Sequence, residues 1–137
     1  MDTLTQEERS RRMSLIRNKN SSAEMFVRKL VHSMGYRYRL HRKNLPGSPD
    51  LVFVKRRKII FVHGCFWHRH DDPTCKLARL PKSRLDFWLP KLEGNRQRDD
   101  KVKQRLTDSG WKFLIVWECQ VLAKTNLQHL LKTFLDH

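Results

Sequence analysis

Three cysteines and one histidine stand in a pattern that could close around a metal ion: Cys65-x4-His70-x4-Cys75, then Cys119 after 43 further residues. Three thiolates and one imidazole form a closed tetrahedral donor set for Zn²⁺. The first three donors share one irregular loop, and Cys119 follows an apolar run, so an ion there would pin the loop to a strand end. The spacing is not a CxxC pair. The bland alternative is three buried thiols without metal. All three lie near polar, His-rich or strand-end positions and not on apolar faces, which favours metal. His68 is an alternative nitrogen donor to His70. No coordination position is left open, so the zinc is expected to be structural. An odd cysteine count argues against a disulfide framework.

A second group has the chemistry for phosphodiester cleavage. Asp50 follows the turn Leu45-Pro46-Gly47-Ser48-Pro49 and precedes an apolar strand. A carboxylate at such a strand start can reach a cleft and hold a hard cation such as Mg²⁺. His63 ends the partner strand, and His68 follows five residues later. If the two strands pair as a hairpin, Asp50 and His63 approach across the ladder. Two imidazoles and a carboxylate could then bind Mg²⁺, activate a water and manage the leaving oxygen. Taken singly, Asp50 reads as a turn cap and each histidine as an ordinary surface or satisfied group.

Phe66 and Trp67 sit between the zinc donors, where little core is available, and Trp88 lies near the start of a helix. Protruding aromatics can wedge between base steps or stack on unpaired bases. Trp111 and Trp117 flank an apolar run and read as core.

The elements that must position these groups are legible in the pattern. Thr5 and Glu8 have capping-box spacing, which predicts a polar helix from about Gln6 to Arg17, an N-terminal arm, followed by a loop from Asn18 to Ser22. Ser21 and Glu24 repeat that spacing; Phe26, Val27, Leu30, Val31 and Met34 recur at helical intervals up to Gly35. Tyr36 to His41 alternates as a strand with one wet face. Leu51 to Val54 and Ile59 to Val62 form a hairpin with a basic tip at Lys55 to Lys58. Gly64 to Ser83 reads as a structured loop, and Leu85 to Leu106 as helix interrupted at Pro90 and Gly94. Trp111 to Trp117 reads as a central strand buried on both faces. An amphipathic helix carrying Leu127, Leu130, Leu131, Phe134 and Leu135 closes the chain. The order α-α-β-β-β-α-β-α fits an α/β fold, a mixed β-sheet flanked by helices.

With 137 residues the chain fits a single domain (1–137), an arm over 1–18 and a catalytic core over 19–137. Its net charge is +15, from 29 Lys and Arg against 14 Asp and Glu, which points to a polyanion partner. No stretch approaches the length of a membrane-spanning helix. The N-terminal residues carry no apolar segment of the signal-peptide kind, so a cytoplasmic location is expected.

Leu45-Pro46-Gly47-x-Pro49-Asp50, His63-Gly64-Cys65-Phe66-Trp67-His68, Phe87-Trp88, Asn95, Asp99 and Val116-Trp117-Glu118-Cys119 together resemble the very short patch repair endonuclease family. The resemblance runs from about Arg11 to Cys119. It implies a restriction-endonuclease-like fold and Mg²⁺-dependent nicking of duplex DNA 5′ to the thymine of a T·G mismatch, leaving a 5′-phosphate. Such mismatches arise when 5-methylcytosine deaminates. Residue by residue, it implies that Asp50 and the Val62 carbonyl hold Mg²⁺. His68 activates water, Asp99 orients it, and His63 is the second catalytic histidine. Phe66, Trp67 and Trp88 intercalate, Asn95 belongs to the DNA-binding set, Met13 and Ile16 lie near the minor groove, and Glu24 borders the active site. The expected partners are mismatched DNA and, functionally, a cytosine-5 DNA methylase and mismatch-repair proteins; a monomer is expected. The chain departs from the family where Arg69 and Asp71-Asp72-Pro73-Thr74 replace part of a His-rich run, so that Cys75 aligns with an insertion. Val62 stands where Thr is common, and the Glu-x-Lys pair of restriction nucleases is absent from Ile59 to His63. Two other classes fit the same charge and aromatics: a non-catalytic zinc module that binds mismatches, and a restriction or homing-type nuclease that cuts matched sites.

Overall fold

The computed structural model describes residues 21–123 and 126–137. The N-terminal helix expected over Gln6 to Arg17, with Met13 and Ile16 on it, lies outside the described residues, as does most of the loop expected before Ser22. The elements are α1 (Ser22–Ser33), β1 (Arg39–Leu40), β2 (Leu51–Phe53), β3 (Lys58–His63), α2 (Leu85–Asp108), β4 (Lys112–Trp117), α3 (Glu118–Ala123) and α4 (Leu127–Asp136). The described strands form one mixed sheet in the order β1-β2-β3-β4. The first two pairings are antiparallel, and β3 and β4 run parallel. The chain is therefore mixed α/β, with helices on both faces of the sheet.

Alternation along the strands divides the core into two layers. Leu51, Phe53, Ile60 and Val116 face α1, α3 and α4, where Val27, Val31, Val121, Leu127, Leu131 and Leu135 are buried. Val52, Ile59 and Phe61 face the other way, with Leu106 of α2 and, partly buried, Val102, Trp111, Phe113 and Ile115. Ser21 caps α1 as its spacing predicts, its hydroxyl accepting from the Glu24 N–H at 3.2 Å.

Several expectations need correction. The strands buried on both faces are β2 and β3; β4 is an edge of the described sheet, and Val116 is its single fully buried residue. The apolar run of β4 arises because both of its faces pack inward, Leu114 and Val116 towards α1, α3 and α4, and Phe113 and Ile115 towards α2. The first strand shortens to Arg39–Leu40: Tyr36 and Tyr38 do pack on the core, but Leu40 is exposed. The basic tip is not wholly solvated, since Lys58 is buried in β3 and donates to the Phe134 and Leu135 carbonyls at 2.6 and 3.2 Å. Pro90 and Gly94 do not interrupt α2. Pro90 is early in the helix, so its missing N–H frees a carbonyl near the N-terminus, and Leu92 just beyond is fully buried and anchors the next turn. At Gly94 an added Cβ would meet only the Arg98 guanidinium at 4.0 Å, so the glycine occupies open space. The short helix α3 is an addition that the sequence pattern does not signal.

Candidate active site and metal centre

The strand ends of the hairpin bring Asp50 to the mouth of a cleft of about 450 Å³. Its lining includes Glu24, Asp50, Val62, His63, Trp67, His68, Asn95 and Asp99. Asp50 and His63 share this cleft, yet the direct cross-strand partner of the Asp50 carboxylate is Val62, whose N–H donates to Oδ2 at 2.7 Å. The register Leu51↔Ile60, continued by two residues, sets Pro49 opposite Val62. Proline has no N–H, so the ladder offers the Val62 carbonyl no donor at that position. An acidic oxygen and a ladder-free carbonyl on the same stretch of strand fit a hard cation.

Electrostatics point the same way. Burial pushes the Asp50 carboxyl up to about 7, and the neighbouring Glu24 carboxylate adds to the rise, while the Val62 N–H and Arg28 oppose it. A cleft that resists a second negative charge is one in which a cation is favoured. His41 completes this corner. Its Nε2 lies 2.8 Å from Glu24 Oε2 and 3.8 Å from Asp50 Oδ1, and its backbone N–H donates to the Asp50 carbonyl at 3.3 Å. Glu24 is buried and also pairs with Arg28 at 2.8 Å. Glu24, His41 and Asp50 together could hold a metal ion. The sequence reading missed His41, which follows β1 in a left-handed conformation at φ 46°; alternation alone puts it on a wet face.

The two cleft histidines stack face to face, ring centroids 3.7 Å apart and 8° from parallel. His68 Nδ1 is 2.6 Å from Asp99 Oδ2, which fixes the ring and leaves Nε2 as the free nitrogen. His63 is buried, and burial, reinforced by the nearby His68, lowers its pKa to about 3. It is therefore a neutral imidazole at physiological pH. Asp99 comes from α2 and His68 from the loop after β3, so the unbroken run of α2 positions this pair.

Cys65, His70, Cys75 and Cys119 present donor atoms all within 4.8 Å of one another. The predicted set converges in full, Cys75 included, and His70 takes the nitrogen position while His68 faces Asp99. Cys119 Sγ lies 3.5 Å from His70 Nδ1, and the Cys119 N–H points at Cys65 Sγ at 3.4 Å. Burial pushes the Cys65 and Cys119 thiols up; Cys75 adds to the rise at both, while the Cys119 N–H opposes it at Cys65 and the Cys65 thiol opposes it at Cys119. Thiolates here need a cation, and a closed three-sulfur, one-nitrogen set fits a thiophilic one.

The aromatics do not simply protrude. Trp67 is only 6% exposed. It joins Phe66, Trp88 and Phe87 in a cluster of edge-to-face contacts with centroids 5.0–6.0 Å apart. The loop finds its own small core against the first turn of α2, a contact that spacing could not show. Lys91 Nζ lies 5.6–6.0 Å from three of these rings. Phe87 is the most exposed of the four. Asn95 donates to the Trp67 carbonyl at 3.1 Å, so it holds the loop as well as lining the cleft. Trp111 and Trp117 are half-buried and not fully core: Trp111 packs beside Leu106, and Trp117 stacks on His70.

Among the described residues, no helix is long and apolar enough to cross a membrane. The family model described as DNA mismatch endonuclease Vsr matches residues 1–74, more than half of the chain. The chain is 49% identical over 135 residues to the type II nicking enzyme V.XorIIP of Xanthomonas oryzae pv. oryzae, covering 98% of this chain and 97% of that one. It is 40% identical over 123 residues to the type II nicking enzyme V.NmeAIP of Neisseria meningitidis serogroup A, covering 90% and 86%. It is 39% identical over 119 residues to the DNA mismatch endonuclease Vsr of Escherichia coli K12, covering 87% and 74%. A cleft of acid and imidazole groups, family match and relatives agree: the chain belongs to the DNA mismatch endonuclease Vsr family and is an endodeoxyribonuclease.

Proposed function

We propose that the chain nicks duplex DNA 5′ to the thymine of T·G mismatches left by deamination of 5-methylcytosine, with Mg²⁺ as the catalytic cation. The observation that carries the reading is the convergence of Asp50, Val62, His63, His68 and Asp99 on one cleft. Asp50 and the Val62 carbonyl hold the cation. When bound, Mg²⁺ supplies positive charge at the scissile phosphate and at the leaving oxygen. His68, its Nδ1 tied to Asp99, takes a proton from the attacking water at Nε2. His63 stays neutral beneath it and offers a hydrogen bond, not a proton, to the reacting groups.

Cys65, His70, Cys75 and Cys119 hold Zn²⁺ in a structural role, since the donor set is closed and separate from the cleft histidines. Phe66, Trp67 and Trp88, with Asn95 bracing their loop, meet the base stack beside the mismatch. Met13 and Ile16 on the arm over 1–18 reach the minor-groove side, and the +15 charge provides the phosphate contacts. The mixed sheet is of the restriction-endonuclease kind. A monomer acting in the bacterial cytoplasm, beside a cytosine-5 DNA methylase and mismatch-repair proteins, fits this role.

A labelled duplex carrying T·G, T·A or C·G at one position, incubated with Mg²⁺, tests the reading. We expect a single nick in the T·G duplex alone, and none from Asp50→Ala. Equal cutting of the matched duplexes would point to a restriction-type nuclease. Tight mismatch binding without cleavage under Mg²⁺ would point to a binding module.

A further inference from the structure

Rings run without a gap from the Cys/His cluster to the cleft. Trp117 ends β4 directly beside His63 in the parallel register. Its indole lies nearly flat on His70, centroids 4.2 Å apart and 15° from parallel. It meets His63 edge-on, at 5.4 Å and 75°. His63 in turn stacks on His68 at 3.7 Å, and His68 is tied to Asp99.

The His63 ring has to be held by something. An imidazole at a working site is ordinarily fixed by a hydrogen bond to its second nitrogen. His63 Nδ1 is buried and has no hydrogen-bond partner among the described residues. Ring packing therefore bears on its orientation: His68 stacks on one face at 3.7 Å, Phe61 lies at 5.4 Å, and Trp117 meets the ring edge-on at 5.4 Å. Of these three, Trp117 also stacks on His70 of the Cys/His cluster. Trp117 is braced twice, by its stack on His70 and by its backbone N–H, which donates to Gln120 Oε1 at 2.8 Å. Aromatic pairs of this kind hold one another's orientation beyond what area burial provides.

We propose that Trp117 is a positioning residue for the nicking reaction, holding the His63 ring, and through it His68, in register with the Cys/His cluster. The proposal rests on the nuclease reading of the cleft. A residue serving only as core filling would lose stability on substitution and leave the cleft imidazoles where they were.

Trp117→Met and Trp117→Phe separate the two. Each is compared with the parent for bound metal per chain, for the imidazole NMR signals of His63 and His68, and for single-turnover nicking and binding of a T·G duplex. We expect Trp117→Met to keep its metal, to move both imidazole signals, and to nick about ten- to a hundredfold more slowly at nearly unchanged DNA affinity. Trp117→Phe, which restores a smaller ring, should lie between Trp117→Met and the parent on both measures. Unmoved His68 signals in Trp117→Met, or a rate within about threefold of the parent, overturn the proposal, since His68 meets His63 and not the Trp117 ring. If Trp117→Met does not fold, Trp117→Phe decides: a slower rate with moved His68 signals supports the proposal, and any other result overturns it. A parent chain that leaves the T·G duplex intact refutes the nuclease reading instead, and the imidazole signals then judge Trp117 by themselves.

Discussion

Asp50→Asn should abolish nicking and at the same time stabilise the magnesium-free protein. The substitution keeps shape and an oxygen for the Val62 N–H, and removes a charge that the folded cleft disfavours. The folded carboxyl sits at about 7 against an ordinary value of 3.8. A group whose protonated form is favoured by folding destabilises the folded state once it ionises. Below 3.8 both states are protonated and nothing is lost; the penalty grows as pH rises from 3.8 to about 7 and is complete above that. At about 1.4 kcal/mol per pH unit, that interval sets a ceiling of about 4 kcal/mol. Relaxation of the cleft and entry of water reduce it, leaving a gain of about 1–3 kcal/mol. For a chain of this size that is a Tm higher by about 3–9 °C. The assay is thermal unfolding of parent and Asp50→Asn in magnesium-free buffer, with the Cys/His cluster left loaded, at pH 5.5 and pH 8. The gain should be about twice as large at pH 8, because at pH 5.5 only about half of the interval has been crossed. Added Mg²⁺ should then raise the Tm of the parent and not of the variant, closing the gap. An Asp50→Asn protein less stable than the parent at pH 8, or equally favoured at both pH values, would refute the reasoning.

Other predictions follow from the same geometry. Asp99→Asn removes the carboxylate charge from the 2.6 Å pairing with His68, and its single-turnover nicking should fall about ten- to a hundredfold while thermal stability stays near the parent's. His63 has a folded pKa lowered from 6.5 to about 3, so the unfolded chain takes up a proton that the folded chain refuses. Its contribution to stability is full above 6.5 and is lost as pH falls towards 3; in denaturant titrations His63→Gln should show a shallower acid loss than the parent. Cys119→Ser removes one of four converging donors, and purified protein should carry less metal by elemental analysis and unfold at lower temperature; parent-like metal content would argue against a four-donor centre.

Much of the site is legible in the residues because its chemistry is local. Asp50 after Pro49, His63 at a strand end and Cys65 to Cys75 on one loop lie in short stretches whose turns and alternation are readable, and the structure brings each to the cleft or the cluster. What the pattern hides depends on contacts between distant segments. His41 reads as one more polar residue on a wet face, and only its approach to Glu24, 17 positions earlier, gives it a place. Trp67 reads as a loop aromatic with no core nearby, because the residues that bury it come from α2. The continuity of α2 through Pro90 is likewise helped by a tertiary contact, since Leu92 just beyond is fully buried. β4 shows how an apolar run can mislead: composition cannot tell a central strand from an edge strand whose two faces both pack on helices.

The central claim is that one cleft, organised by Asp50 and the His68–Asp99 pair, cuts one strand at a mismatch. Single-turnover cleavage of an end-labelled duplex, with T·G or T·A at one position and Mg²⁺ present, tests it most directly. The account predicts one labelled product, ending immediately 5′ to the mismatched thymine, from the parent on T·G alone and from neither duplex with Asp50→Ala. Cleavage by Asp50→Ala at the parent's rate, or equal cutting of the T·A duplex, would contradict it.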